Sequence, residues 1–304
     1  MVSYRPLDYR LFDFPNHCEK VVSGGRLLPY LRAHYNGRTP PHNQGDLPVL
    51  LALDIGNTTV TIGVFDGPSL GATYRIATDV GRFADEYGVL MLSLLGHDGL
   101  TPDTIDQAVI ACVVPDLEPR FTSICQRYFG VTPVIVSAGV KTGLRILYDT
   151  PRDVGADRVA DAVAATRLYG APLIVVDLGT GTVFDAINRD GDYVGGAIAP
   201  GLGIASEALF SRAARLYRVE LSRPPSPIGR NTVAAIQSGI LFGYVGLIEG
   251  IVARMKAELG DDAKVIGTGG YAAIICKETD VFYTVNEDLT LEGLRIIHDM
   301  NVAS

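Results

Sequence analysis

Residues 50–60 read LLALDIGNTTV, residues 173–183 read LIVVDLGTGTV, and this pair of segments decides the fold. The segments superimpose without a gap, which places Asp54 on Asp177. Each reads as a short buried strand, an acidic residue, a glycine turn and the start of an antiparallel strand. One match this short would be weak evidence. Two matches at equivalent places predict two homologous α/β domains in tandem, because the copies lie much further apart than the roughly 20–50 residues of a solenoid repeat.

The same alignment equates the polar residues of the two turns. It pairs Gly56 with Gly179, Asn57 with Thr180 and Thr59 with Thr182. Two such turns, facing each other across a cleft, would form a clamp for a nucleotide.

Strands and helices alternate along the rest of the chain. Apolar runs and helical spacing predict strands at 47–54, 59–67, 107–112, 131–136, 173–177 and 263–270, and helices at 84–97, 117–129, 155–170, 201–215, 230–259 and 288–299. We expect residues 47–170 to form the first domain and 171–304 the second. Residues 1–46 show no clear period and are rich in breakers, so we interpret them as an N-terminal extension of unknown function.

The composition narrows the class of protein. Of 304 residues, 47% are hydrophobic and 20% charged, so a sizeable core can be buried. The net charge of -8 disfavours nucleic acid as a partner. The sequence shows neither a long unbroken apolar run nor a secretory leader, so we expect a cytoplasmic protein without a membrane span. The four cysteines lack metal-site spacing and are expected to be reduced thiols.

The first turn, residues 54–61, carries groups suited to phosphate. Gly56 permits a sharp turn, and the backbone amides and hydroxyls that follow can donate to phosphate oxygens. The segment comprises Asp54, Ile55, Gly56, Asn57, Thr58, Thr59, Val60 and Thr61. The Asp54 carboxylate would hold Mg²⁺ through water. A plain hairpin turn with a capping Asp is an equal alternative for one copy alone. The second copy adds Asp177 and Thr180, and a glycine turn at 267–270 (GTGG) makes a third member.

The segment GADR (155–158) opens a predicted helix. Asp157 could accept a proton from an alcohol, and Arg158 could pair with a carboxylate or phosphate. An ordinary helix start with a solvated arginine explains the same residues, and the residues alone favour that alternative. Thr232, in IGRNT (228–232), is either a helix cap or a hydroxyl directed at a substrate, and the cap is the simpler reading.

Familiar catalytic motifs of other classes are missing. The sequence has no G-x-x-x-x-G-K-[ST] loop, no dinucleotide fingerprint and no G-x-S-x-G elbow. ATP, if it is used, must bind through the paired Asp-Gly turns.

The motifs together resemble one family. DIGNTT, YDTPRDVGADR (148–158), DLGTGT, GGAIAPG, IGRNT, TGG and DLTLEGL occur in the order and spacing of type III pantothenate kinases, over about residues 49–301. The resemblance implies two ribonuclease-H-like domains of the actin-like ATPase superfamily with a nucleotide cleft between them. It implies transfer of the ATP γ-phosphoryl group to the 4′-hydroxyl of pantothenate, in coenzyme A synthesis. It further implies a homodimer that needs Mg²⁺ and a monovalent cation, K⁺ or NH₄⁺.

The resemblance also implies residue roles. Asp157 would be the catalytic base, Asp177 the ligand of the monovalent cation, and residues 54–61 with Thr180 the ATP site. The expected pantothenate contacts are Tyr148, Gly155, Ala156, Asp157, Arg158 and Thr232.

Some residues depart from the family pattern. Gly181 and Val183 replace Ala and Thr, which removes one hydroxyl donor, and Tyr217 stands where Pro is usual. Two other functions stay open from the sequence: a catalytically silent relative that binds a partner, and a different kinase or phosphatase on the same fold.

Overall fold

A computed structural model describes residues 47–212 and 218–302. The extension at 1–46 and Tyr217 lie outside the described residues.

The first sheet has five strands in the order β3-β2-β1-β4-β5. Strands β1 to β3 are antiparallel neighbours, and β4 and β5 continue parallel to β1. The strands are β1 (Val49–Ile55), β2 (Thr59–Asp66), β3 (Ser69–Ala77), β4 (Gln107–Cys112) and β5 (Val134–Ile135), with helices α1 (Ala84–His97) and α2 (Glu118–Tyr128).

The second sheet repeats this plan, with the order β10-β9-β6-β7-β8. Its strands are β6 (Leu173–Leu178), β7 (Gly181–Ile187), β8 (Tyr193–Pro200), β9 (Lys264–Thr268) and β10 (Thr284–Val285). The remaining helices are α3 (Ala156–Tyr169), α4 (Leu202–Arg212), α5 (Thr232–Leu259), α6 (Ala272–Ile275) and α7 (Leu289–Val302). The matching strand orders and directions confirm the predicted α/β class, with two ribonuclease-H-like units in tandem.

One part of the predicted alignment is wrong. Ile55 pairs with Val60 in the first hairpin, whereas Leu178 pairs with Thr182 in the second, so the second turn is one residue shorter. Thr182 therefore matches Val60 rather than Thr59. Its side chain is fully buried, and its hydroxyl has no hydrogen-bond partner among the described residues.

The helices form layers around the sheets. Helices α3 and α7 fill the space between the two sheets, and their apolar residues share one core with the facing strands. Helices α1 and α2 cover the outer face of the first sheet, and α5 and α6 cover that of the second. Helix α7, the last element, contacts β1, β2 and β4 of the first sheet. The division of the chain at residue 170 stays a prediction.

Helix α5 is 28 residues long and apolar enough to cross a membrane by length and composition. The same test is passed by core helices of globular proteins. Ile236, Ile240 and Ile248 of this helix belong to the core on the second sheet, which is the packing of a globular core helix.

Candidate active site

The two glycine turns lie against each other. The Thr180 hydroxyl donates a hydrogen bond to the Thr58 hydroxyl, with 2.8 Å between the oxygens. Asp54 and Asp177 stand near the ends of β1 and β6, just before these turns. The fold thus brings hydroxyls and two carboxyls from separate halves of the chain to one place.

Within residues 54–61 the side chains divide into two groups. Ile55 and Val60 are fully buried and pair with each other, so only their backbone can serve a ligand. Asn57 and Thr58 are exposed, and Thr59 and Thr61 are half-buried. The Gly56 amide donates to the Thr59 carbonyl at 3.0 Å, which closes the turn.

A third turn packs on Asp177. Gly269 has a φ of +88°, a conformation that favours glycine. A Cβ at this position would also clash with Asp177 Oδ1 and with the Leu178 backbone. The turn at 267–270 is therefore part of the same site.

Asp54, Asp157 and Asp177 form an acidic cluster. Burial raises the pKa of Asp54 to about 8, and the charges of Asp157 and Asp177 add to the rise. Burial raises the pKa of Asp177 to about 7, with further contributions from the charges of Asp157 and Asp185. Like charges so close together disfavour ionisation, so a cation beside the cluster would be stabilising.

Asp157 lies in the first turn of α3, where the helix dipole favours a negative charge. Its Oδ1 accepts a hydrogen bond from the Arg158 amide at 2.8 Å. Burial raises the Asp157 pKa, and that amide and the Arg158 charge oppose the rise. Gly155 precedes the helix, and a Cβ there would clash with the Asp157 carboxyl. Ala156 is the first helical residue.

Arg158 is held by an acid that the motifs did not single out. Its Nε and Nη2 atoms donate to Asp185 Oδ1 at 2.9 and 2.7 Å. The Tyr193 hydroxyl donates to the same oxygen at 2.6 Å. The expected solvated arginine of an ordinary helix start is therefore wrong, because the Arg158 side chain is only 12% exposed and ion-paired.

Tyr148 reaches this group from a loop. Its ring lies 6.3 Å from the Tyr193 ring, edge to face. The loop is fixed by two backbone hydrogen bonds, from Leu147 to Tyr193 and from Tyr193 to Arg145. Tyr148 and Arg158 thus both lie beside Tyr193, and Asp157 precedes Arg158 on α3.

Thr232 lies on a different element from these residues. It is the first residue of α5 and lines a cavity of about 730 Å³ between α4 and α5, with Arg230, Asn231 and Tyr244 among the lining residues. The cap of this helix is Asn231, whose side chain accepts from the Ala234 amide at 2.9 Å. The cap reading of Thr232 is therefore wrong by one residue.

In residues 47–212 and 218–302, no three His, Cys, Asp or Glu side chains are arranged to hold a metal ion by themselves. The acidic cluster instead offers separate carboxyls beside phosphate-binding turns. Such a donor set fits a cation held mainly by phosphate oxygens and water.

Three buried polar residues were missed at the sequence level. Asp185 and Tyr193 anchor Arg158, and Asp161 accepts a hydrogen bond from the Thr290 hydroxyl at 2.7 Å. Burial raises the Asp161 pKa well above its usual range, and the charge of Asp177 adds to the rise. The available signal was an acid inside an apolar strand, VFDAI at 183–187, and one inside an apolar helix.

Comparison with known proteins shows what this chain is similar to. The family model for type III pantothenate kinase matches residues 50–254. A type III pantothenate kinase from Roseiflexus sp. is 52% identical over 253 residues, which cover 83% of this chain and 99% of the relative. One from Myxococcus xanthus is 49% identical over 256 residues, covering 84% and 100%.

Among solved structures, a Campylobacter jejuni protein assigned to the Baf family of transcriptional activators has a TM-score of 0.55. It is 18% identical, with 84% of this chain and 100% of that one covered, so it supports the fold alone. The family match and the relatives near half identity carry the assignment: the chain belongs to the type III pantothenate kinase family.

Proposed function

We propose that this chain transfers the γ-phosphoryl group of ATP to the 4′-hydroxyl of pantothenate, as a cytoplasmic enzyme of coenzyme A biosynthesis. The observation that carries the proposal is the acidic cluster, in which Asp157 stands at a helix start beside two acids that end equivalent strands. This arrangement offers a proton acceptor next to a phosphate site.

The paired turns would bind the phosphates of ATP. Thr58 and Thr180 are exposed and adjacent, so both hydroxyls can turn toward phosphate oxygens. The amides of the turn at 54–61 supply further donors. Phosphoryl transfer needs in-line placement and charge stabilisation more than covalent help from the protein.

Asp157 would accept the proton of the attacking alcohol. A base works best when its pKa lies close to the operating pH, and burial moves Asp157 in that direction from the usual carboxyl range. The Arg158 amide fixes Oδ1, which leaves Oδ2 for the substrate hydroxyl.

Arg158 and Tyr148 would bind the other end of pantothenate. The guanidinium suits the substrate carboxylate, and the Tyr148 ring supplies an apolar wall with a polar tip. Gly155 and Ala156 would contribute close backbone contacts at the start of α3.

The cation sites follow from the acids. Asp54 would hold Mg²⁺ through water, and Asp177 would bind the monovalent cation, K⁺ or NH₄⁺. These ions, when bound, would neutralise phosphate charge and the repulsion within the acidic cluster.

A homodimer would explain one face of α5. Small residues occupy it at helical spacing, and they are Ala235, Gly239, Gly243, Gly246 and Gly250. A Cβ at Gly239, Gly243 or Gly246 would meet nothing within 4 Å, so a partner helix could approach closely. Ile228, four residues before α5, and Ile204, on α4, are 80% and 51% exposed. Thr232 would then serve a site that the partner helps to complete.

A coupled assay of ADP release tests the proposed function. Purified protein with MgATP and KCl should release ADP when pantothenate is added and not when common sugars are added. Release with a sugar instead would favour another kinase of this fold. ATP binding without release under any of these conditions would favour a silent relative.

A further inference from the structure

Asp185 is a buried carboxylate, and one of its two oxygens accepts an unusually large number of hydrogen bonds. Its side chain is 1% exposed, and Oδ1 accepts three hydrogen bonds: two from Arg158 and one from Tyr193. Oδ2 is buried with no hydrogen-bond partner among the described residues. Rotation of the carboxyl would break all three bonds, so these hydrogen bonds fix its orientation.

The fixed orientation of the Asp185 carboxyl determines which edge of the Arg158 guanidinium is available to a ligand. A guanidinium has five N–H donors in a flat fork. Asp185 engages Nε and Nη2, so the Nη1 edge keeps its donors for a ligand. The position of Gly196 adds to this restriction, because a Cβ there would lie 3.1 Å from Arg158 Nη2. The Tyr193 ring lies 5.8 Å from the guanidinium carbon and packs beside it.

Stability alone does not account for this ion pair. Desolvation of two charges offsets much of their attraction, and buried pairs are often no better than apolar residues of equal size. Asp185 also lies close enough to Asp157 and Asp177 for their charges to affect one another's pKa. A carboxylate kept here adds repulsion to the acidic cluster, which points to a use in binding.

We infer that Asp185 is a positioning residue that aims the Nη1 edge of Arg158 at the carboxylate of the substrate. Through Arg158 it makes the enzyme prefer an acid over the corresponding neutral amide. The inference rests on the proposed function, since it takes Arg158 as the residue that binds the pantothenate carboxylate.

The test compares two substrates that share the reacting alcohol. Wild type and Asp185→Ala are assayed with pantothenate and with its primary amide. We expect Asp185→Ala to lower kcat/KM for pantothenate by about 10²-fold, mainly through KM, because small misplacements of a positioning group have effects of this size. For the amide, which lacks the charge that Arg158 recognises, the fold-decrease in kcat/KM should be less than about a tenth of that for pantothenate. The KM for ATP should stay near the wild-type value.

Two further variants serve as a graded test and as a control for the change in acid-to-amide preference. Tyr193→Phe removes one of the three bonds to Asp185 and should shift the acid-to-amide preference in the same direction by a smaller factor. Asp262→Ala removes the exposed partner of Arg189, an Asp–Arg pair of similar length at 2.8 Å, and should leave the preference unchanged.

The outcomes separate the two proposals. Equal losses for acid and amide would make Asp185 a purely structural residue and overturn the inference. If Asp185→Ala does not fold, Asp185→Ser gives the same comparison, and an unchanged preference in that variant overturns it too. Failure of the wild type to phosphorylate pantothenate would instead overturn the proposed function.

Discussion

The hydroxyl of Thr180 donates a hydrogen bond to that of Thr58 across 2.8 Å, which links the turn after β6 to the turn after β1. Both hydroxyls lie at the position where the phosphate oxygens of ATP are expected. The two turns therefore approach each other to the distance of a single hydrogen bond.

Removal of either hydroxyl should weaken MgATP binding. Thr58→Val and Thr180→Val each delete a donor, so we expect the Kd for MgATP to rise about 3–10-fold, the equivalent of one net hydrogen bond. The double variant should lose less than the sum, because the two hydroxyls also bind each other. Calorimetric titration measures this, with Thr73→Val on exposed β3 as the control. An unaltered affinity for MgATP in both single variants would contradict the proposal that these turns bind the phosphates.

The acidic cluster should make the nucleotide-free protein less stable as pH rises. Folded pKa values of about 8 for Asp54 and 7 for Asp177 exceed the usual value near 3.9. The folded state therefore holds protons that the unfolded state has released, and stability falls as pH rises through this window. Asp54→Asn and Asp177→Asn should raise Tm near pH 8, because a neutral amide carries no charge for burial and the neighbouring carboxylates to disfavour.

The Tm of each variant should be compared with that of wild type at a pH well above the range in which histidine titrates. Burial lowers the pKa of His298, and its contribution to stability runs in the opposite direction in more acidic solution. Asp103→Asn, at an exposed position, is the matched control and should leave Tm unchanged. A lower Tm for both cluster variants near pH 8 would contradict the repulsion.

Asp177 should give the enzyme its dependence on a monovalent cation. We expect faster phosphorylation in K⁺ or NH₄⁺ than in Na⁺ at matched ionic strength, because the family resemblance implies K⁺ or NH₄⁺ as the ion that Asp177 binds. Asp177→Asn should reduce both the rate and the difference between cations, whereas Asp262→Asn should preserve both. Equal wild-type rates in the three salts would contradict the assignment of Asp177 as the ligand of the monovalent cation.

The glycine face of α5 should be the dimer contact. Gly243→Leu places a side chain into open space, so the subunit should fold while close approach of a second helix is blocked. Light scattering should then give a monomer mass where wild type gives a dimer. Gly96→Leu, at a helical glycine of α1 that also faces open space, is the control. A dimeric Gly243→Leu protein would place the interface elsewhere.

Local patterns were enough to predict the strands that hold the site. β1 and β6 are apolar runs that end at an acid and a glycine, and helix α1 was predicted with its observed bounds. Strands β3, β8 and β10 were missed. β8 contains Gly195 and Gly196 and lies at a sheet edge, and β10 has only two residues, so neither shows a clear alternation.

The parts that could not be predicted depend on tertiary contacts. The shift of Thr182 follows from hairpin register, which hydrogen bonding sets and a gapless alignment cannot show. The role of Asp185 depends on Arg158, which lies 27 residues earlier on another element. Sequence spacing gives no sign that the two meet.

The most direct test of the account is the turnover of Asp157→Asn, because the central claim is that this carboxylate accepts the proton of the acceptor alcohol. The account predicts unchanged MgATP affinity and pantothenate phosphorylation slower by about 10²–10⁴-fold, the usual contribution of a general base. Turnover close to that of wild type would contradict it.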